Sequence, residues 1–258
     1  MSSDTPVSIP ILTRLIPDGV KPGRQLLVEF DPASQWLAVA ATIAAGYLRN
    51  GGRVSYGANL RSPEAVRQDL LALGVDVAAM SKEGRLWLID RYSATLTGGR
   101  LEGAGSSVFE PMEGGARFNS LKIADSSVQF LKESKQGHQA WDIIEFWPPG
   151  ALAIGESMSE MLRFNEEKPY LEFLLSRGHP NDRKAKRINL YGVLRGVHSE
   201  LFYNQLENAY DGVIDLRVIE RDEEAKNLLR IRSLKGQPHD ARWHEIQINT
   251  NGEATLVN

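Results

Sequence analysis

The chain contains no cysteine. Disulfides, thiolate metal sites and cysteine nucleophiles are therefore excluded, and the composition fits a cytoplasmic protein. Long hydrophobic runs are also missing. The longest, Trp36 to Leu48, falls well short of the ~20 apolar residues that a membrane span needs. The first residues, MSSDTPVSIPILTRLIPDGV, have neither the basic start nor the continuous apolar stretch of a signal peptide, so a protein with no membrane association is expected. Charge of one sign is not in excess: the formal net charge is −3, with acids and bases interspersed. That removes any global electrostatic argument for nucleic acid or anionic lipid as a partner. The histidines at 138, 179, 198, 239 and 244 lack metal-ligand spacing, and no metal site is expected.

What is present is enough apolar sequence, 42% of 258 residues, to bury a large core in one domain. Leu26 to Leu48 (LLVEFDPASQWLAVAATIAAGYL) has the outline of a buried strand, a turn at Asp31-Pro32 and an Ala-rich buried helix over 33–48. After a helix stop at Asn50-Gly51-Gly52, the pattern predicts a strand over 53–56. A helix capped by Ser62 and opened by Pro63 follows, with Gly74 closing it, and then a strand over 86–89. Residues 93–118 are Gly- and Ser-rich and read as an exposed insertion, expected to be flexible. A helix is predicted over 121–134 and a second loose segment over 137–150. Then come a strand at 151–154, a helix from Asn165 and Pro169 to near Arg177, a strand at 187–194, a helix at 199–209 and a strand at 213–218.

Strands alternating with helices imply a mostly parallel sheet covered on both faces, an α/β core over 9–220. The tail, 221–258, changes to short strands at 228–233, 243–249 and 254–257 with turns at Lys235-Gly236 and Asn251-Gly252. It reads as an antiparallel β extension.

Several separated segments resemble the RecA-superfamily (P-loop) ATPases, and within them the KaiC-like group. LIPDGVKPGRQLLVE is similar to the group's lead into its first strand, and LRSPEAVRQDLLALGVD to the segment after the second. RGVHSELFYNQLEN (195–208) resembles a glycine-x-His-Ser stretch. YDGVIDLRV (210–218) with LLRIRSLKGQPHDARWHEIQI (228–248) looks like the "DGVI" strand followed by the "lxIxKxRGtxH" strand and closing hairpin. The resemblance runs from about Ile16 onward and implies a RecA-like P-loop fold.

It also implies where nucleotide chemistry would sit. The phosphate loop falls on Phe30, Asp31, Pro32, Ala33, Ser34, Gln35, Trp36 and Leu37. Phe30 and Gln35 replace the flanking glycines, Trp36 the lysine and Leu37 the hydroxyl that would hold magnesium. The paired catalytic acids fall on Leu60 and Arg61. The metal-supporting aspartate falls on Glu156, or on Gly155 if the register slips by one. Losing loop access, lysine, hydroxyl and acid pair together leaves no way to position or activate ATP. The expectation is a pseudo-ATPase that binds no cofactor, with ATP and magnesium entering only if that reading fails.

Trp36 is either a plug in the vacated phosphate cavity or simply a core or surface aromatic. Glu156 is a remnant metal ligand or, more simply, a solvated or paired carboxylate. Ser199 beside His198 and Glu200 lacks a nucleophile elbow and reads as a helix cap. The basic run Arg183, Lys184, Lys186, Arg187 is a DNA-facing loop or, preferably, a solvated one without stacking aromatics. Trp141, Phe146 and Trp147 form either a docking patch or a loop folded on the core. By resemblance, Ser233, Leu234, Lys235 and Gly236 mark the subunit interface. A homo-oligomer, or a hetero-oligomer with active KaiC- or RecA-like relatives, is the expected assembly, serving regulation or scaffolding in signalling. An atypical ATPase and a DNA-binding accessory are the alternatives.

Overall fold

A computed structural model describes residues 5–92, 109–112, 115–118, 122–123, 149–163, 166–221 and 224–257. The chain enters by β1 (Gln25–Phe30), which is buried along its whole length because it lies at the centre of the sheet with both faces covered. A turn over residues 31–35 leads into α1 (Trp36–Arg49), and Gly51 (φ 85) ends it. β2 (Val54–Ala58) precedes α2 (Pro63–Ala72), where the Ser62 hydroxyl accepts the Ala65 amide at 3.3 Å. The expected cap, proline and closing Gly74 (φ 78) are all in place. A short helix not anticipated from the sequence, α3 (Val77–Lys82), is started by Asp76, whose carboxylate accepts the Ala79 amide. β3 (Leu86–Asp90) follows.

Most of the expected insertion at 93–118 lies outside the described residues, but β4 (Phe109–Met112) and β5 (Gly115–Phe118) within it form an antiparallel hairpin. The helix predicted over 121–134 is corrected at its start: Lys122–Ile123 is a strand, β6, antiparallel to β3. Pairing with an open sheet edge overrides a local apolar pattern that had no register of its own. The rest of that stretch, and 137–148 with Trp141, Phe146 and Trp147, lie outside the described residues.

β7 (Leu152–Gly155) runs into a second unanticipated helix, α4 (Met158–Leu162). The helix expected to stop near Arg177 does not. α5 (Glu167–Phe173) widens into a π turn over Leu174–Gly178 and continues as α6 (His179–Lys184). Gly178 keeps right-handed helical angles, so it is no stop, and the widened turn sits just before Pro180, which has no amide to donate. β8 (Ile188–Leu194), α7 (Glu200–Ala209), β9 (Gly212–Arg221), β10 (Glu224–Leu234), β11 (His244–Ile248) and β12 (Ala254–Leu256) complete the chain.

One sheet holds ten of the strands in the order β12-β11-β10-β9-β1-β8-β7-β2-β3-β6. Its centre, from β9 to β3, is parallel, and both flanks are antiparallel. The tail strands thus continue the same sheet. Apolar side chains pack on both faces: one cluster joins β1, β2 and β7 to α1 and α2, and the other gathers Leu27, Met158, Phe202 and Leu206. Among the described residues no helix is long and apolar enough to cross a membrane.

Candidate functional site

The C-terminal ends of β1, β2 and β7 meet at the turn between β1 and α1, the place where open α/β sheets hold ligands. The turn at 31–35 is held by contacts within the chain. The Asp31 amide donates to the Leu216 carbonyl and the Ser34 amide to the Asp31 carbonyl. The Gln35 amide, at the N-terminus of α1, donates at 3.0 Å to the side-chain oxygen of Asn227 on β10. The Asp31 carboxylate accepts the Val218 amide at 3.0 Å and faces Arg195 at 3.3 Å. Three amides facing a would-be anion site therefore already have protein acceptors, and one of these is a side chain that plays the anion's part.

Trp36 opens α1 and is 1% exposed. Its indole N–H donates to the main-chain carbonyl of Glu156 at 2.7 Å, and its ring lies 6.1 Å from that of Phe30 at an interplanar angle of 28°. Gly192 on β8 makes the space. A Cβ there would fall 2.2 Å from the Glu156 carbonyl oxygen, 2.7 Å from the Trp36 indole nitrogen and 2.9 Å from the Phe30 ring. No side chain fits that position while the aromatic pair stays where it is. Leu37 and Ala38 face outward beside a cavity of about 260 Å³, bordered also by Arg61, Asp69 and Asn251.

Glu156 is fully buried, and its carboxylate accepts four hydrogen bonds. Tyr56 Oη (3.1 Å) and Arg61 Nε (2.8 Å) reach one oxygen, and the amides of Asn59 and Leu60 (2.9 Å each) reach the other. Arg61 also pairs with Asp69 on α2. The position that would carry a catalytic acid thus carries the cation that neutralises Glu156, and the lone pairs a metal would need are already engaged. Burial first, and then the neighbouring Glu156 charge, push the Tyr56 hydroxyl well above its ordinary pKa, so it stays a donor. Among the described residues no group of three His, Asp or Glu side chains is arranged to hold a metal ion.

The sequence matches no known family profile and no curated protein. In architecture, however, the chain is similar to a KaiC-like protein from the hyperthermophilic archaeon Pyrococcus horikoshii, with a TM-score of 0.64 over 99% of both chains at 16% identity. The fold is KaiC-like. The mostly parallel sheet with an antiparallel C-terminal part has the arrangement of that fold.

On this KaiC-like frame the other expected residues fall apart from the turn. Lys235 sits past β10, and its ammonium donates at 2.7 Å to the carbonyls of both Asn208 and Tyr210, closing the end of α7. Leu234 is buried, while Ser233 and Gly236 are exposed. The basic run is solvated only in part, with Arg183 and Lys184 exposed in the last turn of α6. Arg187 is 3% exposed and pairs with buried Asp182, and Arg183 pairs with Asp211. Burial raises the Asp182 pKa against the pull of Arg187. Ser199 is the cap expected of it, accepting the Phe202 amide at 3.2 Å, and it donates to Glu167.

Asn227, Gly192 and Tyr56 escaped the sequence reading. Asn227 is far along the chain from Gln35, and Gly192 lies in a strand where nothing marks what it faces. Tyr56 could have been found, because an aromatic hydroxyl alternating with Val54 and Ala58 on a core-facing strand needs a buried acceptor.

Proposed function

We propose that the protein is a non-catalytic member of this fold, a pseudo-ATPase that acts by binding partners in a regulatory or scaffolding assembly. One observation carries the reading: the indole of Trp36 occupies the space beside the β1–α1 turn and is hydrogen-bonded to the residue that would support a metal. The turn amides tied to Leu216, Asp31 and Asn227 support it further, since a triphosphate would have to displace all three. Phosphoryl transfer depends on placement and charge stabilisation, and the side chains that supply these are replaced by an aromatic, an aliphatic and an inward-paired arginine. The paired state of Arg183 and Arg187 weighs against the DNA-binding alternative.

The test is thermal melting of the full chain with magnesium and ATP, ADP or GTP, together with steady-state phosphate release and native mass measurement. No nucleotide-dependent shift and no turnover above the Glu156→Ala background are expected, with the chain found in a homomeric or heteromeric assembly. Magnesium-dependent turnover abolished by Glu156→Ala would replace this reading with that of an atypical ATPase.

A further inference from the structure

On the opposite face of the sheet from Trp36, at the ends of β2, β3 and β7, a second set of polar groups is poorly partnered among the described residues. Tyr56 and Ala58 pack in the cluster that contains Trp36, so Gly57 and Asn59 alternate to the other side. Asn59 is 1% exposed, and neither its amide nitrogen nor its amide oxygen has a hydrogen-bond partner. The hydroxyl of Ser157, also 1% exposed, has none either. Arg91 is fixed here by its main-chain amide, which donates to the Ala58 carbonyl at 3.0 Å. Its half-buried guanidinium has one acceptor among the described residues, the thioether sulfur of Met161 at 3.8 Å, which is a weak one. Asn59 and Arg91 gather around bare backbone: a Cβ on Gly57 would lie 3.4 Å from Arg91 Nη1 and 3.5 Å from both Asn59 Oδ1 and the Ile154 carbonyl oxygen, and Ser157 follows Glu156, whose amide donates to the Gly57 carbonyl at 3.2 Å.

Native proteins satisfy nearly all buried polar groups, and an exception points to strain, an ordered water or a bound ion. A guanidinium with no carboxylate partner among the described residues, beside an unpaired carboxamide, is a donor set for an anion with several acceptor oxygens. We propose that Arg91, Asn59 and Ser157 form a binding site for a compact oxyanion, either an inorganic phosphate-like ion or the carboxylate of a small molecule. The site is separate from the β1–α1 turn and independent of whether that turn binds nucleotide.

The experiment is thermal melting of the full chain in sodium phosphate, sodium sulfate and sodium acetate, each against sodium chloride at equal ionic strength and pH. A saturable rise of about 5 °C is expected with the preferred anion. Phosphate and sulfate acting without acetate assign the site to tetrahedral ions, and acetate acting alone assigns it to carboxylates. Arg91→Met should weaken binding roughly tenfold or more. Gly57→Ala, whose added methyl group meets its neighbours at 3.4–3.5 Å and so leaves the fold standing, should abolish it by filling the floor of the site. No saturable shift beyond chloride with any of the three anions, or a shift unchanged in both variants, would overturn the proposal.

Discussion

The indole nitrogen of Trp36 and the main-chain carbonyl of Glu156 are 2.7 Å apart, joining the start of α1 to the end of β7 across 120 residues of sequence. A large apolar ring and a single polar contact thus tie these two element ends together near the centre of the sheet. The same pair defines what substitutions should do.

Trp36→Phe keeps most of the packing but leaves the Glu156 carbonyl without its donor, so a loss of about 1–2 kcal/mol is expected in urea denaturation. Trp36→Lys should cost more, because an ammonium would stand in a site 1% exposed. It should also gain no melting shift with magnesium-ATP, since Phe30 and the occupied Ser34 and Gln35 amides still obstruct phosphate. A clear ATP-dependent shift in that variant would contradict the account of the turn.

Arg61→Met should destabilise the protein by about 3–5 kcal/mol, because it leaves the buried Glu156 carboxylate without its cation. Adding Glu156→Gln should restore part of that loss. Equilibrium unfolding of both single variants and the double variant measures the coupling, and strict additivity would show that the pair is not a unit.

His179 is 2% exposed, with its ring edge-on to Tyr210 at 4.6 Å. Burial, reinforced by the Arg183 charge, lowers its pKa to about 4 from an ordinary 6.5. The unfolded chain therefore takes up the proton first. The contribution to stability is complete above pH 6.5 and is lost as pH falls toward 4, by up to about 3 kcal/mol. His179→Phe should flatten the stability profile in that window, as read by denaturant midpoints from pH 4 to 7.

Glu29 works in the opposite direction. It is 4% exposed beside Asp215 on the neighbouring strand, and burial outweighs the pull of Arg232 to raise its carboxyl to about 6 from 4.5. Here the folded chain holds the proton more tightly. Its contribution is complete below pH 4.5 and fades as pH rises through 6. Glu29→Gln should remove this slope, so that the acid loss attributed to His179 becomes steeper in the variant.

The fold was legible because its signals are local. Continuous apolar strands, the Ser62-Pro63 start and the Asn251-Gly252 turn each state their conformation within a few residues, and the tail segments resembling the KaiC-like group set their order. The elements missed were those decided by distant partners. Lys122–Ile123 became a strand because β3 offered an edge, and α5 passed Gly178 because nothing there required a left-handed residue. At the site, the resemblance alone set the expectations for Phe30, Gln35, Trp36, Leu37, Leu60 and Arg61. That Arg61 turns inward to Glu156, that Lys235 closes α7, and that Asn227 meets Gln35 could not be read off the chain, because each depends on which surfaces the sheet order brings together.

The contact between Asn227 and the Gln35 amide has one further consequence. An acceptor delivered by a small solute is present only when that solute is, whereas one delivered by the polypeptide's own β10 strand sits at an effective concentration fixed by the fold. The first turn of α1 therefore carries its own acceptor, which needs no solute to supply it.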